Sequence, residues 1–294
     1  MTYRLILGDR IHSSWSLRGW LVAKLSGAEF DSEFLSFAEA PVSEQLAPLA
    51  PACTVPLLVT SDGIAIDDSL AITEELATRH PDSAIWPKDP KARAVARTLV
   101  AKMHSGFMTL RNDCPMDLAR AYSGVEISDA LQKDLIQLQS LFAWARKTTG
   151  SDDGWLCGAY SAADAFYAPV AARIAGFDLP VDDATKQYVQ LHLNDQNFRQ
   201  WRAIGLATDT PLERYGQTWS RRDWPQADDL ADLPSARKTC LGEPLNAHCP
   251  YSGKTATWLM EIDGRVFGMC NQICRDKTVA DPAAWPAFMD LYHS

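Results

Sequence analysis

Long apolar runs are missing from this 294-residue sequence: nothing in it approaches the roughly 18 to 20 consecutive apolar residues that a membrane span requires. Runs of Lys and Arg are missing too. With 28 basic residues against 37 acidic ones the formal net charge is -9, which argues against a dedicated nucleic-acid binder and against polyanionic partners. The opening MTYRLILGDRIHSSW carries too short an apolar stretch for a secretory leader, so the expected location is cytoplasmic. What is present is an ordinary globular composition, 47% hydrophobic and 22% charged, sufficient to bury a core. The length suits two domains, or two and a small appendage.

The chemistry-bearing pattern begins with HSSWSLRGWL at residues 12–21, directly after an apolar strand at 3–7. A strand that ends in a Ser-rich turn and feeds a helix aims free N–H groups, hydroxyls and the positive helix end at one spot, which favours an anion. Plain helix capping by serine reads the same residues without any chemistry. Ser13 ranks first and Ser14 second as the hydroxyl that would act on a bound group, with Ser16 close enough to compete. His12 is either a bystander at the turn or a proton-transfer group.

The order of elements over residues 1–82 reads β-α-β-loop-β-β-α: a helix over 16–25 ended by Gly27, a strand over 29–34, a strand over 55–59, a turn at Ser61-Asp62-Gly63, its partner at 64–66, and a helix over 69–79. Pro56 removes a ladder donor at the start of a core strand. A cis Val55–Pro56 bond that turns the Val55 backbone groups outward and an ordinary trans proline are both open readings. Asp68-Ser69 is a second helix start. Beyond capping, a carboxylate beside a hydroxyl and free helix N–H groups can hold an α-amino acid end.

From residue 90 the periodicity becomes helical, over 91–106, 128–147, 161–176 and 182–204, which predicts an all-helical domain at 90–220. Ser161 and Asp164 have capping-box spacing. Arg97 and Arg18 are expected in structural ion pairs. The stretch 220–234, charged and proline-bracketed, reads as a linker. Of seven cysteines, Cys53, Cys114 and Cys157 are scattered and expected in the core, whereas Cys240, Cys249, Cys270 and Cys274 gather in the tail at 237–294. There CPYSGK at 249–254 and Cys270-x-x-x-Cys274 flank a hairpin through Asp263-Gly264, a pattern suited to tetrahedral metal coordination, with His248 as a further donor. Bound zinc, a metal-free module and a redox disulfide all remain open.

Residues 1–82 resemble the thioredoxin-like domain of the glutathione transferase superfamily. SSWSLRGWL is similar to the serine motif of zeta-type and related bacterial members, Val55-Pro56 to the family's cis-proline and Asp68-Ser69 to its acidic-Ser pair; Trp15 and Trp20 stand where the zeta motif has a cysteine and an arginine. The Ser161–Asp164 box extends the resemblance into the helical part, and the tail resembles YHS/TRASH-type modules, with Ser252 in place of a cysteine.

The resemblance implies an α/β plus all-α architecture: a thioredoxin-like domain, a helical bundle of the glutathione transferase type, and a small α+β cysteine-containing tail module. It implies a glutathione transferase or glutathione-dependent isomerase working as a homodimer. Glutathione would be the co-substrate, held by Ser16, Thr54, Val55, Pro56, Asp68 and Ser69, with Ser13 or Ser14 on the sulfur. A small electrophile would lie near Met103, His104, Phe107, Arg111 and Asn112, an acidic one against Arg111. The alternative implied function is a glutathione-binding redox or metal-handling protein whose tail cysteines do the work.

Overall fold

Strand β1, Tyr3–Leu7, is buried along nearly its whole length and forms the centre of the first sheet. It runs parallel to β2, Phe30–Phe34, and antiparallel to β3, Leu57–Val59, which pairs with β4, Ala65–Ile66, in the order β2-β1-β3-β4. Between β1 and β2 lies α1, Ser14–Ser26, capped by Ser13 and closed by Gly27 at φ 68°, a left-handed conformation that glycine adopts without steric cost. The short α2, Val42–Gln45, sits in the loop before β3, and α3, Ser69–Arg79, follows β4. The computed structural model describes residues 2–151, 154–226, 230 and 235–294.

The strand expected at 55–59 starts only at Leu57, because Pro56 has no N–H to give the ladder. The Val55–Pro56 bond is cis, as is Ala50–Pro51. Helix α1 packs directly on that proline: a Cβ on Gly19 would lie 2.7 Å from the Pro56 ring, so only glycine permits the approach.

The helical part comprises α4, Pro90–Ser105; α5, Met108–Asp113; α6, Asp129–Thr149; α7, Ala162–Phe177; α8, Asp183–Asn194; and α9, Gln196–Thr208. Asp89, Ser128 and Asp195 each accept a backbone N–H at the start of the helix that follows. The single helix expected over 182–204 is two, because the Asp195 carboxylate accepts from Phe198 N at 2.8 Å and starts a new helix. The region is also not purely helical: β5, Ala121–Ser123, pairs antiparallel with β6, Ser220–Arg222, so the stretch read as a linker opens as a strand. Positions 227–229 and 231–234 of that stretch lie outside the described residues.

Helix α7 is buried along its entire length and is the core of this part. Its start is the expected capping box. Asp164 accepts from Ser161 N at 2.9 Å and Leu156 N at 3.2 Å, from the Ser161 hydroxyl at 3.2 Å, and from Tyr188 OH at 3.0 Å. Arg97 meets Glu74 at 3.5 Å on an exposed face. Arg18 does not form the ion pair expected of it: it is fully buried, and none of its guanidinium nitrogens has a hydrogen-bond partner.

The chain divides into two compact units, residues 1–192 with 211–225, and 193–210 with 226–294. In the second, β7, Ala236–Lys238, β8, Trp258–Ile262, and β9, Arg265–Met269, form an antiparallel sheet in that order. The β8–β9 hairpin turns through Asp263 and Gly264 at φ 53° and 69°, as a tight turn of two left-handed residues requires. Helices α10, Gln272–Ala280, and α11, Pro286–His293, follow. A core of Met260, Ile262, Phe267, Met269, Trp285 and Phe288 fills the space between these elements. Helix α9 joins this unit: Arg199 grips Asp281 with two hydrogen bonds of 2.6 and 2.9 Å. Among the described residues no helix is long and apolar enough to cross a membrane.

Candidate functional site

The turn from β1 into α1 packs three serines around one hydrogen-bond chain. Gly8 N donates to Ser16 Oγ at 2.9 Å, the Ser13 and Ser16 hydroxyls lie 2.8 Å apart, and Ser16 N donates to Ser13 Oγ at 3.2 Å. Ser16 is therefore completely enclosed beneath the turn, whereas Ser13 and Ser14 face a cavity of about 420 Å³. Cys53, Thr54 and Val55 line the same cavity, with Trp15, Phe37, Arg111, Arg173 and Tyr215 among its other walls.

Of the residues expected to hold a tripeptide, Ser13, Ser14, Thr54 and Val55 come together on this cavity; Ser16, Pro56, Asp68 and Ser69 do not line it. Asp67 ties the two groups: its carboxylate accepts from Cys53 N at 3.0 Å and its carbonyl from the Thr54 hydroxyl at 2.8 Å. Asp68 caps α3, one oxygen accepting from Leu70 N and Ala71 N at 2.9 Å each, and its other oxygen lies 3.3 Å from His104 Nε2. The Ser69 hydroxyl is buried with no protein partner.

His12 is held in place. Its Nε2 accepts from Leu212 N at 3.0 Å and its ring stacks on Tyr215 at 4.2 Å, which leaves Nδ1 as the protonated nitrogen, 3.4 Å from Met116 O. Cys53 departs from expectation: it is exposed, whereas Cys114 and Cys157 are buried and their thiols are pushed up to about 12 by desolvation.

Cations cluster behind the serines. Two guanidinium groups approach the Trp15 ring, Arg18 at 4.4 Å and Arg111 at 4.5 Å from its centre. Arg173, buried, donates to Cys114 O and Pro169 O at 2.8 and 3.2 Å. Burial holds all three below the ordinary guanidinium value, and mutual repulsion adds to this for Arg18 and Arg173. Sequence reasoning singled out Arg111 but missed Arg173, since an arginine inside an apolar helix carries no local signal of where it points.

The tail presents a second constellation. The sulfurs of Cys249, Cys270 and Cys274 all lie within 4.8 Å of one another. Cys240 is not among them: it is exposed beside Arg237, Leu241 and Arg275, on a loop after β7, so the expected four-cysteine set is incorrect. The Ser252 hydroxyl donates to Cys270 Sγ at 3.2 Å, and Cys270 and Cys274 are 3.8 Å apart. Burial pushes the Cys249 thiol up, but N–H donors of Tyr251 and Cys270, with the Cys270 thiol and Ser252 hydroxyl, bring it down to about 7.

A thioredoxin-like sheet followed by an all-buried, capping-box helix in a helical domain is the glutathione transferase fold. Residues 12–79 match the family described as glutathione S-transferase, N-terminal domain. Among curated proteins the chain is 34% identical to a probable maleylacetoacetate isomerase of Caenorhabditis elegans over 35% of this chain and 47% of that protein. It is 32% identical to the maleylacetoacetate isomerase of Dictyostelium discoideum, over 39% and 52% of the two chains. The chain thus spans about half the length of the curated relatives it matches. Among solved structures, a glutathione transferase homolog from Burkholderia GL BGR1 with bound glutathione superposes with TM-score 0.53 and 22% identity, over 71% of this chain and all of that one. Glutathione transferase Omega 2S from Trametes versicolor gives 0.51 and 18%, over 68% and 91%.

Proposed function

We propose that the chain is a glutathione-dependent transferase or isomerase that acts on a small acidic electrophile. The observation that carries this reading is the cavity where Ser13, Ser14, Thr54 and Val55 meet Arg111 and Arg173. Glutathione is read as lying along Thr54–Val55 toward Asp68 and Ser69, its cysteinyl sulfur at the start of α1. A free thiol has a pKa near 8.5, and a hydroxyl donor together with a helix N-terminus supplies about one to two units of depression.

The Ser13 hydroxyl donates to Ser16 Oγ at 2.8 Å while its oxygen accepts from Ser16 N at 3.2 Å; in this reading rotation of the Ser13 hydroxyl away from Ser16 turns its proton toward the sulfur, with Gly8 N–H still donating to Ser16 Oγ. The thiolate then attacks the electrophilic carbon. Conjugation ends with loss of a leaving group; isomerisation instead proceeds by addition to a double bond, rotation about the resulting single bond, and elimination that returns the thiolate. The names of the curated relatives support the isomerase branch. Pairing of two chains and a cytoplasmic location belong to the same reading, as does a YHS/TRASH-like tail.

The test is the thiolate absorbance of bound glutathione followed against pH. The wild-type protein is expected to hold the thiol about one to two units below its free value, and Ser13→Ala to return it to the ordinary range with glutathione still bound. A normal titration in Ser13→Ala with loss in Ser14→Ala would move the role to Ser14; retention in both would defeat the reading. For the acidic substrate, Arg111→Leu is expected to raise KM for a carboxylate electrophile about 10- to 100-fold, the range of one charged hydrogen bond, and to leave a neutral electrophile unchanged. Equal effects on both would remove the charge argument.

A further inference from the structure

The tail holds thiols that the transferase reading does not use, and we propose that Cys270 and Cys274 are a reversible dithiol–disulfide couple that reduces small disulfides. A thiol pair exchanges with an outside disulfide when one sulfur can be reached and a second stands beside it. Cys270 directly follows β9 and Cys274 lies in the first turn of α10; both are half-buried, and their sulfurs are 3.8 Å apart. One residue couples the two. Asn271 caps α10: its side-chain oxygen accepts from Cys274 N at 2.8 Å, while its Nδ2 donates to Cys270 Sγ at 3.4 Å. A sulfur–sulfur bond of about 2 Å then closes across a helix start that the cap already fixes.

Cys270 is the sulfur that attacks. The thiolate is the reacting form, and donors aimed at sulfur favour it. The Ser252 hydroxyl donates to Cys270 Sγ at 3.2 Å alongside Asn271, and the start of α10 adds its positive end. The Lys277 ammonium acts electrostatically on all three clustered cysteines and is fixed 3.9 and 3.7 Å from the centres of the Tyr251 and Trp285 rings. Cys249, the third sulfur of the cluster, is only 2% exposed and takes backbone N–H groups of Tyr251 and Cys270 on its sulfur, so it stays a thiol. The exposed Cys53 and Cys240 lie outside the cluster. In the first step the Cys270 thiolate attacks one sulfur of a small disulfide, whose S–S bond breaks and whose other half leaves as a thiolate. Cys274, as thiolate, then attacks Cys270 Sγ and expels the second half. The two protons lost by the cysteines end on the two released thiols, and the two electrons that the pair gives up reduce the small disulfide. An outside dithiol reverses both steps.

The full-length chain, reduced and kept anaerobic with a metal chelator present, is exposed to bis(2-hydroxyethyl) disulfide, quenched with acid at intervals, alkylated and mapped by mass spectrometry. The expected product in the unsubstituted chain is a Cys270–Cys274 bridge with Cys249 still a free thiol, reopened by dithiothreitol. Cys274→Ser should stop at a mixed disulfide on Cys270, and Cys270→Ser should form no bridge. Asn271→Asp keeps the capping oxygen and removes the donor to Cys270, so bridge formation should slow about 10-fold, the range of one hydrogen bond, with the fold retained. Absence of a bridge in the unsubstituted chain, a bridge that includes Cys249, or an unchanged rate in Asn271→Asp would overturn the proposal. The probe carries no glutathione, so these outcomes stand or fall apart from the transferase reading.

Discussion

Asp164→Ala is expected to lower the stability of the helical region by about 3–5 kcal/mol, enough to leave much of the chain unfolded at moderate temperature. The carboxylate is fully enclosed, and it accepts from two backbone N–H groups and two hydroxyls. Alanine would strand those donors in an apolar core, where each unsatisfied group costs about 1–3 kcal/mol. Helix α7 would lose its start and the Tyr188 hydroxyl its partner. Asp164→Asn separates shape from charge. Burial raises the Asp164 carboxyl from 3.8 to about 6, against the pull of its donors from Leu156, Ser161 and Tyr188. Because the folded chain binds this proton more readily than the unfolded one, the contribution is fully present below about pH 4 and is lost as pH rises through about 6. The slope over that window amounts to about 3 kcal/mol. Denaturant unfolding at pH 4, 5, 6 and 7 should show this component in the wild type and lack it in Asp164→Asn. A wild-type chain with the same pH profile as Asp164→Asn would refute the assignment.

That box was legible in the sequence because its two members sit three residues apart and act locally. The same holds for the Asp263-Gly264 hairpin, for Gly27, and for the β-α-β-β-α order around Pro56, all of which rest on contacts a short window contains. The failures are long-range or competitive. Asp195 falls inside an unbroken apolar period, and only its capping bond to Phe198 N shows that the helix restarts there. The pairing of Ala121–Ser123 with Ser220–Arg222 joins segments about a hundred residues apart, and two three-residue strands leave no alternation to detect. Within the site, hydroxyl-bearing residues announced themselves by position at helix starts. Asp67 did not, since its work is to hold a neighbouring loop. Cys240 shows the opposite error: proximity in sequence to three clustered cysteines suggested a ligand, while Gly242 at φ 94° and the close Val266 side chain carry its loop elsewhere.

Arg18→Met is expected to stabilise the chain by about 1–4 kcal/mol while weakening thiolate formation in the cavity. The guanidinium of Arg18 is wholly enclosed, none of its three nitrogens has a hydrogen-bond partner, and its nearest compensation is the faces of Trp15 and Phe166 at 4.4 and 5.6 Å. Two such ring contacts return only about 1–2 kcal/mol each, less than the several kcal/mol that desolvating a charge costs. Burial, with repulsion from Arg173 and Arg111, accordingly holds its proton well below the ordinary guanidinium value. Arg18 does not line the cavity itself but packs against Trp15, which does; a charge kept there is expected to add to Arg111, Arg173 and the helix end in making the start of α1 positive. Methionine preserves the length and the apolar contacts with Trp15, so the substitution removes charge with little change of volume. Thermal or denaturant unfolding should therefore shift toward greater stability, and the pKa of the bound glutathione thiol should rise toward its free value with glutathione still retained. Destabilisation by Arg18→Met would show that the cation is matched by favourable interactions in the folded chain. Stabilisation with no change in the thiol would confine Arg18 to the core and leave the field at the serines to Arg111, Arg173 and the helix.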